Sequence, residues 1–381
     1  MIKNSRFTCL LSSIVILFSH NFISAQSAVR HEIDIPDILN FKTLACDFHM
    51  HTVFSDGNVW PTIRAQEAWR QGLHAFSITD HLEYLPHKDD VKVDYNRSYE
   101  IARPGAEAVH LTIIRGAEIT RDMPPGHFNA IFLKDAALLR RDLWRESFKA
   151  AVDQQAFIFW NHPGWRGQQP DGVARWYEEH TELLEKGWLH GIEVVNEKEY
   201  YPEAHRWCLE KKLTMLGNSD IHAPIQMEYE LDRGEHRPMT LVFALENSEK
   251  AIKEALFARR TVVYFGNTLI GEEVYLRPIF DRSIEIEIND IRITGKGSAY
   301  IGIRNHSQID FELVAEGTND DLTYPDQLRL WGGRTTLCSI SAKSNQIRGQ
   351  KEETLNFTVK NLKITPESGL PVALTLQVNY Q

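Results

Sequence analysis

The sequence predicts two units in series: an α/β barrel of seven or eight strand–helix repeats, then a small all-β sandwich. Three observations carry this. From residue 43 to about 266, short apolar β-type runs alternate with segments of helical spacing, the pattern of a parallel sheet with helices outside it. Seven or eight repeats favour closure into a barrel over an open sheet. From about residue 270, short alternating segments separated by Gly, Asn, Asp and Pro take over, as in an antiparallel sandwich of about 100 residues with an immunoglobulin-like pattern.

The chain begins with an export signal in expectation. Lys3 and Arg6 precede an apolar run over 9–18, and Ser24-Ala25 supplies small residues before Gln26. That is the layout of a cleaved secretory peptide, 1–25. The run is short for a membrane span, so no stable anchor is expected and the protein is placed outside the cytoplasm, periplasmic or secreted. Residues 26–42 form a lead-in, 43–269 the barrel and 270–381 the sandwich.

Within the barrel, strands are expected at 43–49, 75–79, 111–119, 128–133, 156–160, 191–195, 213–216 and 240–244. Helices are expected from Pro61, over 141–154, 173–186, 203–212 and 248–259. In the sandwich, strands fall at 284–288, 299–303, 311–314, 328–331, 336–340, 355–359 and 372–378, and no helix of useful length is expected.

Bulk numbers exclude some functions. The formal net charge is -10, and -12 without residues 1–25, a poor match to duplex nucleic acid. Cleavage of the signal leaves Cys46, Cys208 and Cys338, too few and too scattered for a disulfide framework. Cys46 points opposite to Asp47 along its strand and reads as a small buried residue. Oligomeric state is not legible.

Chemistry concentrates at strand ends. His49 and His51 lie two residues apart, on one face of a strand, and Asp56 follows. Ile78-Thr-Asp-His81, Arg115-Gly-Ala-Glu118 with Gly126-His127, Trp160-Asn-His-Pro-Gly164 and Gly217-Asn-Ser-Asp-Ile-His222 each follow an apolar run. In a barrel of this kind the C-terminal strand ends share one mouth, so His49, His51, Asp56, His81, Glu118, His127, His162, Asp220 and His222 should converge there. Nine such donors exceed the four to six that one ion takes, which points to two or three divalent ions sharing carboxylates. Mixed imidazole and carboxylate suits Zn2+, Mn2+ or Fe2+.

The motifs DFHMHTVFSDG, ITDH, GAEIT with GHFNA, NHPG and NSDIH, over about 43–225, resemble the PHP family, named for its polymerase-associated and histidinol-phosphatase members. All nine metal positions of that family carry the expected residue types. The resemblance implies a distorted (β/α)7 barrel and a metal-dependent phosphoesterase that cleaves small phosphodiesters or phosphomonoesters through a metal-activated water. It implies one ion on His49, His51, Glu118 and Asp220, a second on Glu118, His127 and His162, and a third on Asp56, His81 and His222. Asp56, His81, Asp220 and His222 are the residues placed in catalysis. Arg121 and Arg166 follow ligand positions and are candidate phosphate holders, and Asn196 ends a strand as a candidate substrate contact. Asn161, Asn218 and Asp80 precede ligands and are candidate orienting groups. Glu193 reads as an internal polar or ligand-orienting residue. His74 reads as core or rim, and His87, His110, His180, His190 and His205 as surface. A weaker likeness, over AIKEALFARRTVVYFG, is to exported members of the same family that carry a C-terminal β domain.

Two other readings compete. An amidohydrolase-type enzyme would cleave C–N or C–O bonds, but typically places a lysine between its metals where Glu118 stands here. A metal-stabilised scaffold without catalysis, with the β domain binding a partner, is the non-enzymatic alternative.

Overall fold

The computed structural model describes residues 29–287 and 290–381; the expected signal peptide and Ile288 lie outside them. The chain runs β1 (Lys42–Asp47), α1 (Pro61–Arg70), β2 (Ala75–Ile78), α2 (Arg97–Ala108), β3 (Thr112–Ile119), β4 (Phe128–Ile131), α3 (Trp144–Asp153), β5 (Phe157–Trp160), α4 (Glu178–Glu185), β6 (Gly191–Asn196), β7 (Glu199–Tyr200), α5 (Pro202–Lys211), β8 (Thr214–Asn218), α6 (Ile225–Glu228), β9 (Met239–Ala244), α7 (Glu249–Phe257), β10 (Thr261–Phe265), β11 (Thr268–Gly271) and α8 (Glu273–Ser283). The sandwich follows as β12 (Ile284–Ile286), β13 (Asp290–Ile293), β14 (Ser298–Asn305), β15 (Phe311–Ala315), β16 (Leu322–Thr323), β17 (Gln327–Leu330), β18 (Thr335–Ala342), β19 (Gly349–Lys363) and β20 (Gly369–Tyr380).

The barrel strands pair in the order β9-β1-β2-β3-β4-β5-β6-β8. β2, β4, β5, β6, β8 and β9 are buried along their whole length, because helices cover the outside and side chains fill the inside. The sheet is not uniformly parallel. β4 runs antiparallel to both β3 and β5, and β9 antiparallel to β1. No helix separates β3 from β4, so that connection is a hairpin rather than a crossover. Between β8 and β9 the Thr240 hydroxyl bridges the gap, accepting from Gly217 N and donating to Gly217 O, each at 3.0 Å.

Two of the longer helices depart from expectation. α2 was not anticipated, and α8 lies where no useful helix was expected. Each carries an internal proline, Pro104 or Pro278, a residue that disfavours helix interiors. Burial of Ala102, Ala106, Leu276, Ile279 and Phe280 outweighs that local preference.

The sandwich packs a sheet of β13, β20, β19, β15 and β17 against one of β12, β14, β18 and β16. β13 pairs parallel with β20, the exception to an antiparallel plan. The barrel and sandwich share a ladder: β11 pairs parallel with β19, Leu269 opposite Leu362 and Ile270 opposite Lys363.

Cys46, Cys208 and Cys338 are free and buried. His110 is exposed, as expected, but His180 and His205 are fully buried. His180 stacks on Trp160 with ring centroids 3.8 Å apart; its Nδ1 accepts from Tyr177 N at 3.0 Å and its Nε2 donates to Pro125 O at 2.8 Å. Burial pushes both imidazoles down to about 4, so the folded protein keeps them neutral where the unfolded chain takes up protons. Their contribution to stability is therefore complete above about pH 6.5 and falls as the pH drops towards 4, by about 1.4 kcal/mol per pH unit for each histidine. Thermal melting of metal-free protein between pH 7 and 4 measures this; the double replacement His180→Gln/His205→Gln should flatten the slope.

Candidate metal centre

The loop after β1 carries three of the nine candidates. Gly57 permits its turn: a Cβ there would lie 2.6 Å from the His51 carbonyl carbon. Asp80 ties the loop down, accepting from Thr52 N at 2.7 Å and Ser55 Oγ at 2.9 Å. His162 and Asp220 have left-handed backbone, φ 27° and 50°, uncommon for non-glycine residues and typical of positions held by their surroundings for function.

Eight of the nine side chains meet in three interlocking groups: His49, His51, Glu118 and Asp220; His51, Asp56, His81 and His222; and His81, Glu118 and His127. His162 stands beside them, its Nε2 3.7 Å from Asp220 Oδ2. The grouping differs from the family-derived partition, since His51 belongs to two groups and His81 rather than His162 joins Glu118 and His127.

The geometry fits cations better than hydrogen bonds. His49 Nε2 lies 3.1 Å from His51 Nε2 and 3.0 Å from both Glu118 Oε2 and Asp220 Oδ1. His51 Nε2 lies 2.9 Å from Asp220 Oδ1 and 3.3 Å from Glu118 Oε2. One ring N–H serves one acceptor well, so these contacts outnumber the available protons. They resemble edges of a tetrahedron, which measure about 3.4 Å around a zinc-like ion with bonds of about 2.1 Å. Glu118 Oε1 and His127 Nδ1 make the same case: they lie 2.8 Å apart, both buried, yet neither has a hydrogen-bond partner.

The outer nitrogens are tied down. His49 Nδ1 faces Glu193 Oε1 at 2.9 Å, His51 Nδ1 faces Ser55 Oγ at 3.3 Å, His81 Nδ1 faces Thr120 Oγ1 at 2.6 Å and His222 Nδ1 faces Asp220 O at 2.6 Å. Such contacts leave the other nitrogen of each ring for a metal. Burial opposes charge throughout, but at Glu118, Asp220, His49 and His222 the partners prevail. His81 and His127 hold Glu118 well below the carboxylate range, and His49 and His51 do so for Asp220. Asp220 and Glu193 raise His49 well above the usual imidazole value, and Asp56 and Asp220 bring His222 up to about 9. Burial brings His162 down to about 3. The carboxylates are ionised and ready for cations, and metal binding would release protons from the raised imidazoles.

Asn218 orients as expected, its Oδ1 accepting from Phe48 N at 2.9 Å, and Asn161 exchanges amide bonds with Asn129. The expected substrate contacts lie otherwise. Arg121 reaches Glu83 at 2.8 Å and the carbonyls of Arg141 and Asp142, so its guanidinium braces a loop instead of standing free for phosphate. Asn196 is buried and its amide donates to Glu193 at 2.8 Å, which makes it an orienting group. Arg166 is exposed, 3.8 Å from Glu199. Trp165, about half exposed, lies over His127 and His162 with centroids 5.6 and 5.5 Å away.

Two buried arginines escaped the sequence reading. Arg64 donates to the carbonyls of His51, Ile221, His222 and Ala223 at 2.7–3.1 Å. Arg237 donates to Asp47 Oδ2 at 3.0 Å, and Asp47 accepts from Ser219 and His49 N. A helix arginine and a loop arginine carry no motif, so no local signal marks them.

The C-terminal region matches a family model described as an Ig-like domain over residues 284–375. No curated protein matches the chain. A crystal structure of a two-domain protein containing a predicted PHP-like metal-dependent phosphoesterase, from Bacteroides vulgatus, is 46% identical, covering 91% of this chain and 99% of that one, with a TM-score of 0.86. A predicted metal-dependent phosphoesterase from Bifidobacterium adolescentis is 19% identical over 46% of this chain and 87% of that one, TM-score 0.37. An amidohydrolase from Chromobacterium violaceum is 15% identical over 48% of this chain and 88% of that one, TM-score 0.34. The last two are too distant to bear on function.

Proposed function

The chain belongs to the PHP-like family represented by the Bacteroides vulgatus two-domain protein, and from that premise we propose that it is a metal-dependent hydrolase of small phosphodiesters or phosphomonoesters. The observation that carries this is the interlocking of three donor groups through Glu118, His51 and His81. Divalent cations held there would supply positive charge to a phosphoryl group and acidify water at neutral pH. The chain's own residues do the rest. Glu118 and Asp220 contribute fixed negative charge at the centre. Asp56, His81 and His222 form its more open side, His222 being the most exposed of the three imidazoles in that group. The apolar residues that alternate with the donors along the chain, Phe48, Met50 and Ile221, are fully buried.

Among the described residues no lysine is buried, and Glu118 stands where an amidohydrolase-type site would typically place one, which favours phosphoester over amide chemistry. The acidic chain favours a small substrate over duplex nucleic acid. Export rests on residues 1–25; no helix among the described residues is long and apolar enough to cross a membrane.

Protein loaded with Mn2+ or Zn2+ should hydrolyse bis(p-nitrophenyl) phosphate or p-nitrophenyl phosphate, lose that activity with chelator and leave an anilide intact. Turnover of the anilide alone would transfer the protein to the amidohydrolase type. Turnover of none, with metal bound, would favour the scaffold reading.

A further inference from the structure

Glu193 is fully buried on β6, and its carboxylate accepts four hydrogen bonds, two at each oxygen. Oε1 faces His49 Nδ1 at 2.9 Å and accepts from Asn218 Nδ2 at 2.9 Å. Oε2 accepts from the backbone N of His162 and from Asn196 Nδ2, each at 2.8 Å. These four donors come from different parts of the centre. Asn218 also accepts from Phe48 N, beside His49, and Asn196 reaches Asp220 Oδ2 at 3.4 Å. The His162 amide belongs to a residue with φ 27°, a conformation that needs external support.

We propose that Glu193 is the positioning residue of this centre, setting the ring of His49 and joining the ligand-bearing ends of β1, β5 and β8 through one carboxylate. Its place in the fold explains why a carboxylate is required. A carboxylate is an acceptor only, with about four lone-pair sites, and all four are matched by donors here. An isosteric amide would replace one acceptor oxygen with an NH2 group and set donor against donor. With His49 Nδ1–H held by Glu193, Nε2 is left towards Glu118, His51 and Asp220. The four hydrogen bonds of Glu193 go to His49, His162, Asn196 and Asn218 and none to His51, Asp56, His81 or His222, so its direct hold is on the His49 side.

The inference rests on the metal-binding reading, and metal content separates the two. Wild-type and Glu193→Gln proteins, stripped and then titrated with Zn2+ against a chromophoric chelator, would be compared by stoichiometry and affinity, with far-UV circular dichroism as the folding control. The expected result is a wild-type fold in which one ion binds about 10- to 100-fold more weakly, the scale seen when an outer partner of a metal-bound histidine is removed, while the remaining affinity is unchanged. Wild-type affinity at every site, or equal weakening at all of them, would overturn the proposal. Wild-type protein that takes up no metal would instead overturn the functional reading. Should Glu193→Gln not fold, Glu193→Asp carries the same test, since it keeps the charge but withdraws the carboxylate by one methylene.

Discussion

Glu118→Gln should abolish both metal retention and turnover, with a loss of activity on the order of 10^3-fold, the scale on which removal of one charge-stabilising group from an active site registers. Glu118 is the only carboxylate shared by two of the three donor groups. Its Oε2 lies within 3.3 Å of the Nε2 atoms of His49 and His51, and its Oε1 lies 2.8 Å from His127 Nδ1 and 3.4 Å from His81 Nδ1. Through its two oxygens it thus faces four of the nine, His49, His51, His81 and His127. Gln keeps the volume, so the fold should survive, but the amide removes the negative charge that offsets neighbouring cations. Its NH2 would also face an imidazole nitrogen. Metal analysis of dialysed protein and a p-nitrophenyl ester assay would measure the effect. Full metal content together with full activity would remove Glu118 from the centre.

Arg237→Met should cost about 3–5 kcal/mol of folding stability, the range for leaving a buried charge without its partner. Both Arg237 and Asp47 are fully buried. The guanidinium also donates to Gln71 Oε1 at 2.9 Å. Asp47 keeps its bonds from Ser219 and the His49 amide, but these are not a counter-charge. The damage should reach the metal side as well, because Asp47 holds the backbone of His49 and of Ser219, which precedes Asp220. Urea titration of metal-free protein measures the stability term. The double replacement Asp47→Asn/Arg237→Met should recover part of it, since the stranded charge is gone. A loss under 1 kcal/mol for the single variant would show that the pair contributes little net stability.

Some features were open to reading without coordinates because they depend on short-range pattern. The pair His49 and His51 is legible from its spacing at the end of an apolar run, although β1 stops at Asp47 and the loop beyond it carries both rings to the centre. The ligand types recur at strand ends, and in a barrel those ends meet. Other features had no local signature. α2 and α8 contain Pro104 and Pro278 and form because their buried faces pack. His180 and His205 look like ordinary helix histidines until the helices dock. Arg121 follows a ligand at a promising spacing, yet Glu83 and two carbonyls capture its guanidinium. Arg64 and Arg237 find partners 158 and 190 residues away, and Glu193, readable from its strand as an internal polar or ligand-orienting residue, finds His49 across 144 residues of chain.

The order of residues thus determined the donor set, the strand periodicity and the change from barrel to sandwich, since each rests on chemistry repeated within a few positions. Which donors share a group, which arginines are captured and which carboxylate braces the ligands were decided only when distant strand ends came together. Hydrogen bonds and ion pairs act over about 3 Å of space, and no spacing along the chain records that distance.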